Sequence, residues 1–196
     1  MLNDNAEKQR AFFDGIAPFW RENDSLGEPE INALLALTGI ESGDEVLDVA
    51  CGAGVLDGAL VALGCEVDAI DVSPKMIEKA KRNPKNEGAH FLVADFYGFS
   101  PKKEYDYLLV FDAYPHFSDK RKFAEKACEL LKKGGELHIF FDSGRDAINA
   151  RHDGSRADVS VPLSSAEEES AAFIGAFEIL DLEDGASRYR IALKKK

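Results

Sequence analysis

The feature that most constrains this chain is an apolar strand that runs directly into a glycine turn and then into a helix. Residues 46–54 read Val-Leu-Asp-Val-Ala-Cys-Gly-Ala-Gly, and apolar residues recur at helical spacing over residues 55–63. Gly52 and Gly54 permit positive φ and let a ligand approach the backbone. Asp48 lies inside the apolar strand, where an unpaired carboxylate is costly, so we expect it to face a cleft and accept hydrogen bonds.

Short β-branched runs alternate with longer amphipathic runs from residue 45 onward, which is typical of repeated βα units and a mainly parallel sheet. We predict strands at residues 45–50, 66–71, 90–95, 105–112 and 136–142, and a terminal hairpin of 177–182 and 187–193 that turns at 183–186. We predict helices at 5–19, 28–37 and 55–63, from Ser73-Pro74 to Asn83, from Ser118-Asp119 to Gly134-Gly135, and from Ser164-Ser165. Residues 143–162 are predicted to be a polar connection.

Composition excludes several classes of protein. The chain has 196 residues, 45% of them hydrophobic, which fits one globular domain and excludes a disordered chain. The net charge of −12 repels phosphate backbones, so we expect no nucleic-acid partner. No apolar run is long enough for a membrane helix, and the N-terminus lacks the pattern of a secretory signal. Three cysteines in no metal-binding pattern favour reduced thiols, so we expect a cytoplasmic protein without a metal site.

The turn departs from the dinucleotide-binding pattern. That pattern, G-x-G-x-x-G/A, needs a third small residue where this chain has Asp57. No phosphate loop of the form G-x-x-x-x-G-K-S/T is present either. Asp71, at the end of the next strand, follows Gly52 by 19 residues and is placed to accept both hydroxyls of a ribose. The segment therefore suits a nucleoside that carries a cationic amino-acid tail better than NAD.

The residues from Asp48 to Gly54 resemble motif I of the class I S-adenosylmethionine-dependent methyltransferases, with Ala50 at the family's first glycine. Asp71-Val72-Ser73-Pro74-Lys75-Met76 is similar to the family's second motif, and Asp95-Phe96 resembles its adenine site. The resemblance implies S-adenosylmethionine as cofactor, held by these residues: Trp20, Asp48, Ala50, Cys51, Gly52, Gly54, Asp71, Val72, Met76, Ala94, Asp95, Phe96, Phe111 and Ala113.

The resemblance also implies the fold. The family has a Rossmann-like, seven-stranded, mainly parallel α/β sheet of order 3-2-1-4-5-7-6, with strand 7 antiparallel and helices on both faces. The run from Phe12 to Trp20 resembles the opening of quinone-type C-methylating enzymes, which fold it over the cofactor. We therefore expect one methyltransferase domain over 1–196, composed of a helical lid at 1–40, a cofactor-binding core at 44–142, a substrate-side connection at 143–163, and a last helix with the hairpin at 164–196.

The acceptor site is predicted beside the fourth and fifth strands, because ligands of open α/β sheets bind at the carboxyl ends of the strands. His116 and His152 are candidates for a general base, since histidine accepts protons near neutral pH. Tyr114, Arg145 and Arg151 are candidates for binding the acceptor. His90 and His138 lie inside strands and are interpreted as structural.

The leading hypothesis is methyl transfer from S-adenosylmethionine to a small-molecule acceptor, by in-line displacement and mainly through positioning of the reactants. The likeness of the N-terminal segment hints at methylation of carbon or oxygen. A non-catalytic module that binds S-adenosylmethionine is an alternative, and a nicotinamide oxidoreductase is a weaker one. We expect no membrane partner and either a monomer or a homodimer.

Overall fold

The computed structural model describes residues 4–20, 26–152 and 158–196. Parts of the predicted lid (1–3 and 21–25) and of the predicted connection (153–157) lie outside the described residues. The chain divides into two compact units, Met1–Phe99 and Ser100–Lys196. No helix within the described ranges is long and apolar enough to cross a membrane.

In its described residues, 4–20 and 26–99, the first unit contains three strands and four helices. In chain order they are α1 (Asp4–Ile16), α2 (Glu28–Leu35), β1 (Glu45–Val49), α3 (Asp57–Leu63), β2 (Glu66–Asp71), α4 (Pro74–Arg82) and β3 (His90–Val93). β1 and β3 both pair with β2 in parallel. Ser73 caps α4 by accepting from the amide of Met76, and Pro74 opens the helix, as the Ser-Pro pair predicts. Short 3-10 turns follow α1, α4 and β3.

The part of the second unit that the structure describes, 100–152 and 158–196, contains four strands and three helices. They are β4 (Tyr105–Phe111), α5 (Lys120–Leu130), β5 (Leu131–Phe141), α6 (Arg145–His152), α7 (Ala166–Ser170), β6 (Phe177–Asp184) and β7 (Tyr189–Lys195). β4 and β5 are parallel, whereas β7 is antiparallel to both β5 and β6. Ser165 and Glu168 form a capping box at the start of α7. The apolar positions of α5 and the middle of β5 are buried and form the core of this unit.

The seven strands have the order β3-β2-β1-β4-β5-β7-β6, which confirms the sheet expected from the resemblance. The loops that follow β1, β2 and β4 carry eight of the 19 predicted site residues.

Three element predictions were wrong. Arg145–His152 forms α6 rather than an irregular connection, because Ile148 is fully buried and anchors the segment. α5 ends at Leu130, before Gly134-Gly135, since Leu131 is already extended and pairs with Tyr105. β6 runs on to Asp184, so the hairpin turns at Gly185–Arg188, where the Gly185 amide donates to the Arg188 carbonyl.

Candidate functional site

The turn after β1 has one open side and one closed side. Ala50, Gly52 and Gly54 all have positive φ, at 58°, 55° and 78°. A Cβ atom on Gly52 would meet nothing within 4 Å, whereas one on Gly54 would collide with Nδ2 of Asn86. The backbone of Gly52 is therefore the part of the turn that a ligand can approach closely.

The carboxylate of Asp71 is bound to this turn. Its Oδ2 accepts from the amide of Gly52 at 3.0 Å, and its Oδ1 accepts from the amide of Ser73 at 2.8 Å. A carboxylate has about four acceptor positions, so two remain beyond these amides. Asp71 keeps 8% of its surface exposed. The geometry fits the sequence prediction that this side chain accepts the two hydroxyls of a ribose.

Acidic side chains surround the turn. Asp48 is 2% exposed, and its pKa is raised well above the ordinary value by burial and then by the charges of Asp57 and Asp71. Burial also raises the pKa of Asp57 to about 7 and that of Asp71 to about 6, although the amides of Ser73 and Gly52 oppose the second shift. A cationic ligand relieves such repulsion and an anionic pyrophosphate increases it. The electrostatics of the turn therefore fit a sulfonium and an ammonium group.

Asp57 is a residue of this site that sequence reasoning missed. In the sequence, Asp57 attracted attention only because it departs from the dinucleotide-binding pattern. It is fully buried behind Gly54, and neither carboxylate oxygen has a hydrogen-bond partner among the residues that the structure describes. An ionised carboxylate in such a place is costly. An acid within a run of small and apolar residues is the signal that could have drawn attention to it.

Cys51 is a buried residue of the same turn. Its side chain is 7% exposed, and its thiol pKa is raised by burial and then by the charges of Asp57, Asp48 and Asp71. The thiol is therefore protonated and acts as a small apolar group. The contact of Cys51 with the cofactor, which the resemblance implies, stays a prediction.

The other predicted cofactor residues of this unit take mixed positions. Met76 is 1% exposed and belongs to the core. Val72 and Ala94 are half-buried, and the Ala94 amide donates to the Asp71 carbonyl at 2.9 Å. Asp95 caps a 3-10 turn by accepting from the amide of Tyr97 at 3.3 Å, and the buried ring of Phe96 packs edge-on against Tyr97. The cofactor roles of these residues stay predictions.

The N-terminal helix contacts the start of α4. Oδ1 of Asp14 accepts from the hydroxyl of Ser73 at 2.6 Å and from the amide of Lys75 at 3.2 Å. Further along, the ring of Trp20 packs edge-on against Phe13 at 6.4 Å between centroids. The sequence predicted a role for the aromatic residues of this segment but none for Asp14. The hydrogen-bond partners of Asp14 are 59 and 61 residues away in sequence, so no local pattern indicates them.

In the second unit, the loop after β4 is largely built into the core. Phe111 packs on Phe140, and Tyr114 is fully buried edge-on to Phe123 at 5.3 Å. Lys120 donates to the Tyr114 carbonyl at 2.9 Å and lies over its ring, and burial lowers the lysine pKa to about 8. Ala113, a further predicted cofactor residue, is also buried. The side chains of Phe111, Ala113 and Tyr114 are therefore buried beneath the loop and are not part of its exposed surface.

The two predicted catalytic residues come together. The imidazole centroids of His116 and His152 are 5.2 Å apart. Nδ1 of His116 lies 3.0 Å from the Val159 carbonyl, and Nδ1 of His152 lies 2.7 Å from the Ile148 carbonyl. A carbonyl only accepts, so each neutral ring carries its proton on Nδ1 and its lone pair on Nε2. The sequence did not reveal this proximity, which depends on the fold of α6.

His138 behaves differently from this pair. It is 1% exposed, and burial followed by the charge of Arg190 lowers its pKa to about 4. Its Nε2 lies 3.2 Å from a carboxylate oxygen of Glu136. A neutral, buried histidine inside a strand fits the structural role that was predicted for it.

The two predicted substrate-binding arginines already contact carboxylates. Nη2 of Arg151 lies 3.9 Å from Asp112 and 3.8 Å from Asp142 at the ends of β4 and β5. Nε of Arg145 lies 3.4 Å from Asp184 at the end of β6. Asp112 has a φ of 51°, a strained value for a residue other than glycine, and such strain is common at functional sites. Arg151 thus precedes the predicted base His152 at the end of α6, whereas Arg145 at the start of α6 contacts the hairpin.

Comparison with known proteins gives the following similarities. Residues 46–135 match a family model described as "Methyltransferase domain". A ubiquinone biosynthesis O-methyltransferase of Pelagibacter ubique is 35% identical over 100 residues, which cover 48% of this chain and 40% of that protein. Its counterpart in Aromatoleum aromaticum is 29% identical over 154 residues, covering 73% of this chain and 64% of that protein. The chain thus aligns with less than two thirds of either relative.

Among solved structures, the chain is similar to the N-methyltransferase NodS of Bradyrhizobium japonicum in complex with S-adenosyl-L-homocysteine. The TM-score is 0.72 at 21% sequence identity, and the alignment covers 98% of this chain and 99% of that one. At this identity the similarity concerns the fold.

Proposed function

We propose that this protein methylates a small molecule with S-adenosylmethionine, because residues 46–135 match the methyltransferase-domain model and the sheet has the strand order of the class I methyltransferase fold. The single observation that carries the proposal is the unit formed by the turn and Asp71. An open Gly52 backbone and a carboxylate with acceptor positions to spare are joined by one hydrogen bond.

In this proposal the chain binds the cofactor at the ends of β1 and β2. Gly52 admits the amino-acid part, Asp71 accepts from the ribose, and Asp48, with Asp57 behind it, supplies negative potential for the cationic groups. Asp95 and Phe96 are proposed for the adenine. When bound, S-adenosylmethionine supplies a methyl group that its sulfonium has already activated. The protein therefore contributes mainly by orienting the reactants, an effect of roughly 7–11 kcal/mol in favourable cases.

We assign proton transfer on the acceptor side to His116 and His152. The carbonyls of Val159 and Ile148 hold both rings in the tautomer whose lone pair is on Nε2. A positioned base typically accelerates a reaction by about 10²–10⁴-fold, and it is needed only for an acceptor that arrives protonated. Asp112 and Asp142 offset the charge of Arg151, so this arginine is proposed to orient a polar acceptor rather than to neutralise an anion.

A hydroxylated small molecule is the proposed acceptor. The relatives from Pelagibacter and Aromatoleum carry names that specify O-methylation in ubiquinone biosynthesis. An acceptor hydroxyl arrives protonated, so its methylation gives the proposed base a proton to accept. Oxygen is therefore favoured over the carbon that the N-terminal segment also suggested.

The two alternatives make different predictions. A module that only binds S-adenosylmethionine uses the same turn and releases no S-adenosylhomocysteine. A nicotinamide oxidoreductase requires a pyrophosphate beside Asp48, Asp57 and Asp71, whose charges repel it. Thermal stabilisation by NAD(H) and none by S-adenosylmethionine would replace our proposal with the second alternative.

The test is a screen of small phenols, catechols and amines with the purified protein and methyl-labelled S-adenosylmethionine. We expect labelled product and S-adenosylhomocysteine to appear together, only when acceptor and protein are both present. With an active acceptor, His116→Ala and His152→Ala should lower turnover while the cofactor dissociation constant stays within about twofold. Binding without turnover on any acceptor would favour the binding module, and undiminished turnover in both variants would remove the histidine assignment.

A further inference from the structure

We propose that Asp14 is a positioning residue for the cofactor, acting through Ser73 to hold Asp71 and to dock the N-terminal helix. This inference rests on the proposed function, since it concerns the same cofactor site. Three successive hydrogen bonds carry it: from the Ser73 hydroxyl to Asp14, from the Ser73 amide to Asp71, and from the Gly52 amide to Asp71.

Ser73 is the centre of this chain of contacts. It is fully buried, and its hydroxyl donates to Asp14 at 2.6 Å while accepting from the amide of Met76 at 3.1 Å. Its amide donates to Asp71 at 2.8 Å. One residue therefore fixes the helix cap, the predicted ribose-binding carboxylate and the anchor of α1. A shift of Ser73 would move all three.

Asp14 contacts two groups at the start of α4. Besides the Ser73 hydroxyl it accepts from the amide of Lys75, one of the amides that the first turn of a helix leaves without a helical partner. A carboxylate at a helix N-terminus is also favoured by the helix dipole. On its other side, Oδ2 of Asp14 lies 3.9 Å from Nε of Arg10, one turn earlier in α1. The aspartate thus ties α1 to α4 beside Asp71.

If Asp14 had a purely structural role, its substitution would lower the stability of the protein and leave the pH dependence of cofactor binding unchanged. The alternative, positioning, affects the carboxylate that is proposed to bind ribose. Ionised Asp14 raises the pKa of Asp71, an effect smaller than that of burial. Removing the charge of Asp14 while keeping its oxygen should therefore keep Asp71 ionised to a lower pH.

Other charged groups also surround the end of β2, and they stay unchanged in this comparison. On the elements packed around Asp71 these titratable and charged side chains are Arg10 on α1, Asp48 on β1, Cys51 in the turn, Asp57 on α3, Lys75 on α4 and Asp95 after β3. A substitution of Asp14 alone leaves these groups in place. Its effect on the pH dependence of binding is therefore assigned to Asp14.

The experiment measures the dissociation constant of S-adenosylmethionine by calorimetry on the full chain, from pH 5 to pH 8.5. Asp14→Ala loses both hydrogen bonds, and we expect binding at pH 8 to weaken at least about fivefold. Asp14→Asn keeps the accepting oxygen, so we expect near wild-type affinity at pH 8 and a loss of affinity on acidification that begins at lower pH. Glu7→Ala and Glu7→Gln, at an exposed position of the same helix, are the matched controls.

The outcomes separate this inference from the proposed function. Wild-type protein that binds no S-adenosylmethionine overturns the proposed function and this inference with it. Wild-type binding that is matched by both Asp14 variants at every pH overturns the inference alone. If Asp14→Ala proves too unstable to measure, the pH profile of Asp14→Asn decides, because an unchanged profile contradicts the positioning role.

Discussion

The backbone amide of Gly52 donates to Oδ2 of Asp71 at 3.0 Å, across 19 residues of sequence. The residue that leaves room for a ligand and the residue proposed to bind its ribose are therefore parts of one hydrogen-bonded unit. Neither can shift without the other. This coupling explains how two weak sequence signals, a glycine turn and an acid at a strand end, define one site.

Asp71→Ala is expected to weaken S-adenosylmethionine binding by about 100-fold, since two hydrogen bonds from ribose hydroxyls to a charged group are lost. Calorimetry at pH 8 measures the effect. Glu66→Gln, at the exposed start of the same strand, is the control and should leave affinity unchanged. Wild-type affinity in a folded Asp71→Ala variant would contradict the ribose assignment.

Gly52→Ala and Gly54→Ala form a matched pair that separates binding from folding. Both residues have positive φ, so either alanine costs roughly 1–2 kcal/mol in backbone strain. The methyl group at 52 enters open space and should obstruct the cofactor, whereas the one at 54 meets Asn86 and should cost about 1–3 kcal/mol more in stability. Urea unfolding and cofactor titration of each variant measure the two effects. Equal losses of stability in the two variants would contradict the view that Gly52 faces open space while Gly54 is tightly packed.

The buried acids predict an unusual dependence of stability on pH. Because the folded-state pKa of Asp57 is about 7 and that of Asp71 about 6, the folded protein holds protons that the unfolded chain has released between about pH 4 and pH 7. Stability of the cofactor-free protein should therefore fall as pH rises through this range, by about 1.4 kcal/mol per unit of pKa shift at most.

The variant Asp57→Asn tests the origin of that dependence. It keeps the shape of the side chain and removes its charge, so we expect higher stability than wild type at pH 8 and little difference at pH 4. Chemical unfolding at both pH values measures the effect. Asp146→Asn, at an exposed position of α6, is the control. A variant no more stable than wild type at pH 8 would show that Asp57 is not the source.

The helix caps of the first unit were predictable because local patterns specify them, whereas the strand order was predicted from the family resemblance. The pair Ser73-Pro74 predicts the start of a helix, and the glycine turn follows an apolar strand. Helix α6 was not predictable in this way. Its sequence, Arg-Asp-Ala-Ile-Asn-Ala-Arg-His, has one large apolar side chain, and its anchors are the burial of Ile148 and the hydrogen bonds of Asn149 to Leu163.

The same reason explains which parts of the site were missed. Asp14 binds groups that are 59 and 61 residues away. The proximity of His116 to His152 depends on the helical conformation of α6. Such contacts between distant residues leave no periodic signal in one sequence. Gly134-Gly135 looked like a helix stop, yet Gly135 lies in a strand where a Cβ would approach the carbonyl of Asp106 at 2.9 Å. There the glycine serves strand packing.

Ala50→Gly tests whether the turn is strained in this chain. Ala50 has a φ of 58°, in a region where alanine costs roughly 1–2 kcal/mol and glycine costs nothing. Glycine also makes the unfolded chain more flexible, which offsets about 0.4–1 kcal/mol of the relief. We therefore expect Ala50→Gly to be neutral or up to about 1.6 kcal/mol more stable, measured by urea unfolding. Ala11→Gly, at an exposed position inside α1, should instead lose about 1 kcal/mol, as glycine does in a helix. Equal losses in the two variants would mean that the turn holds Ala50 without strain.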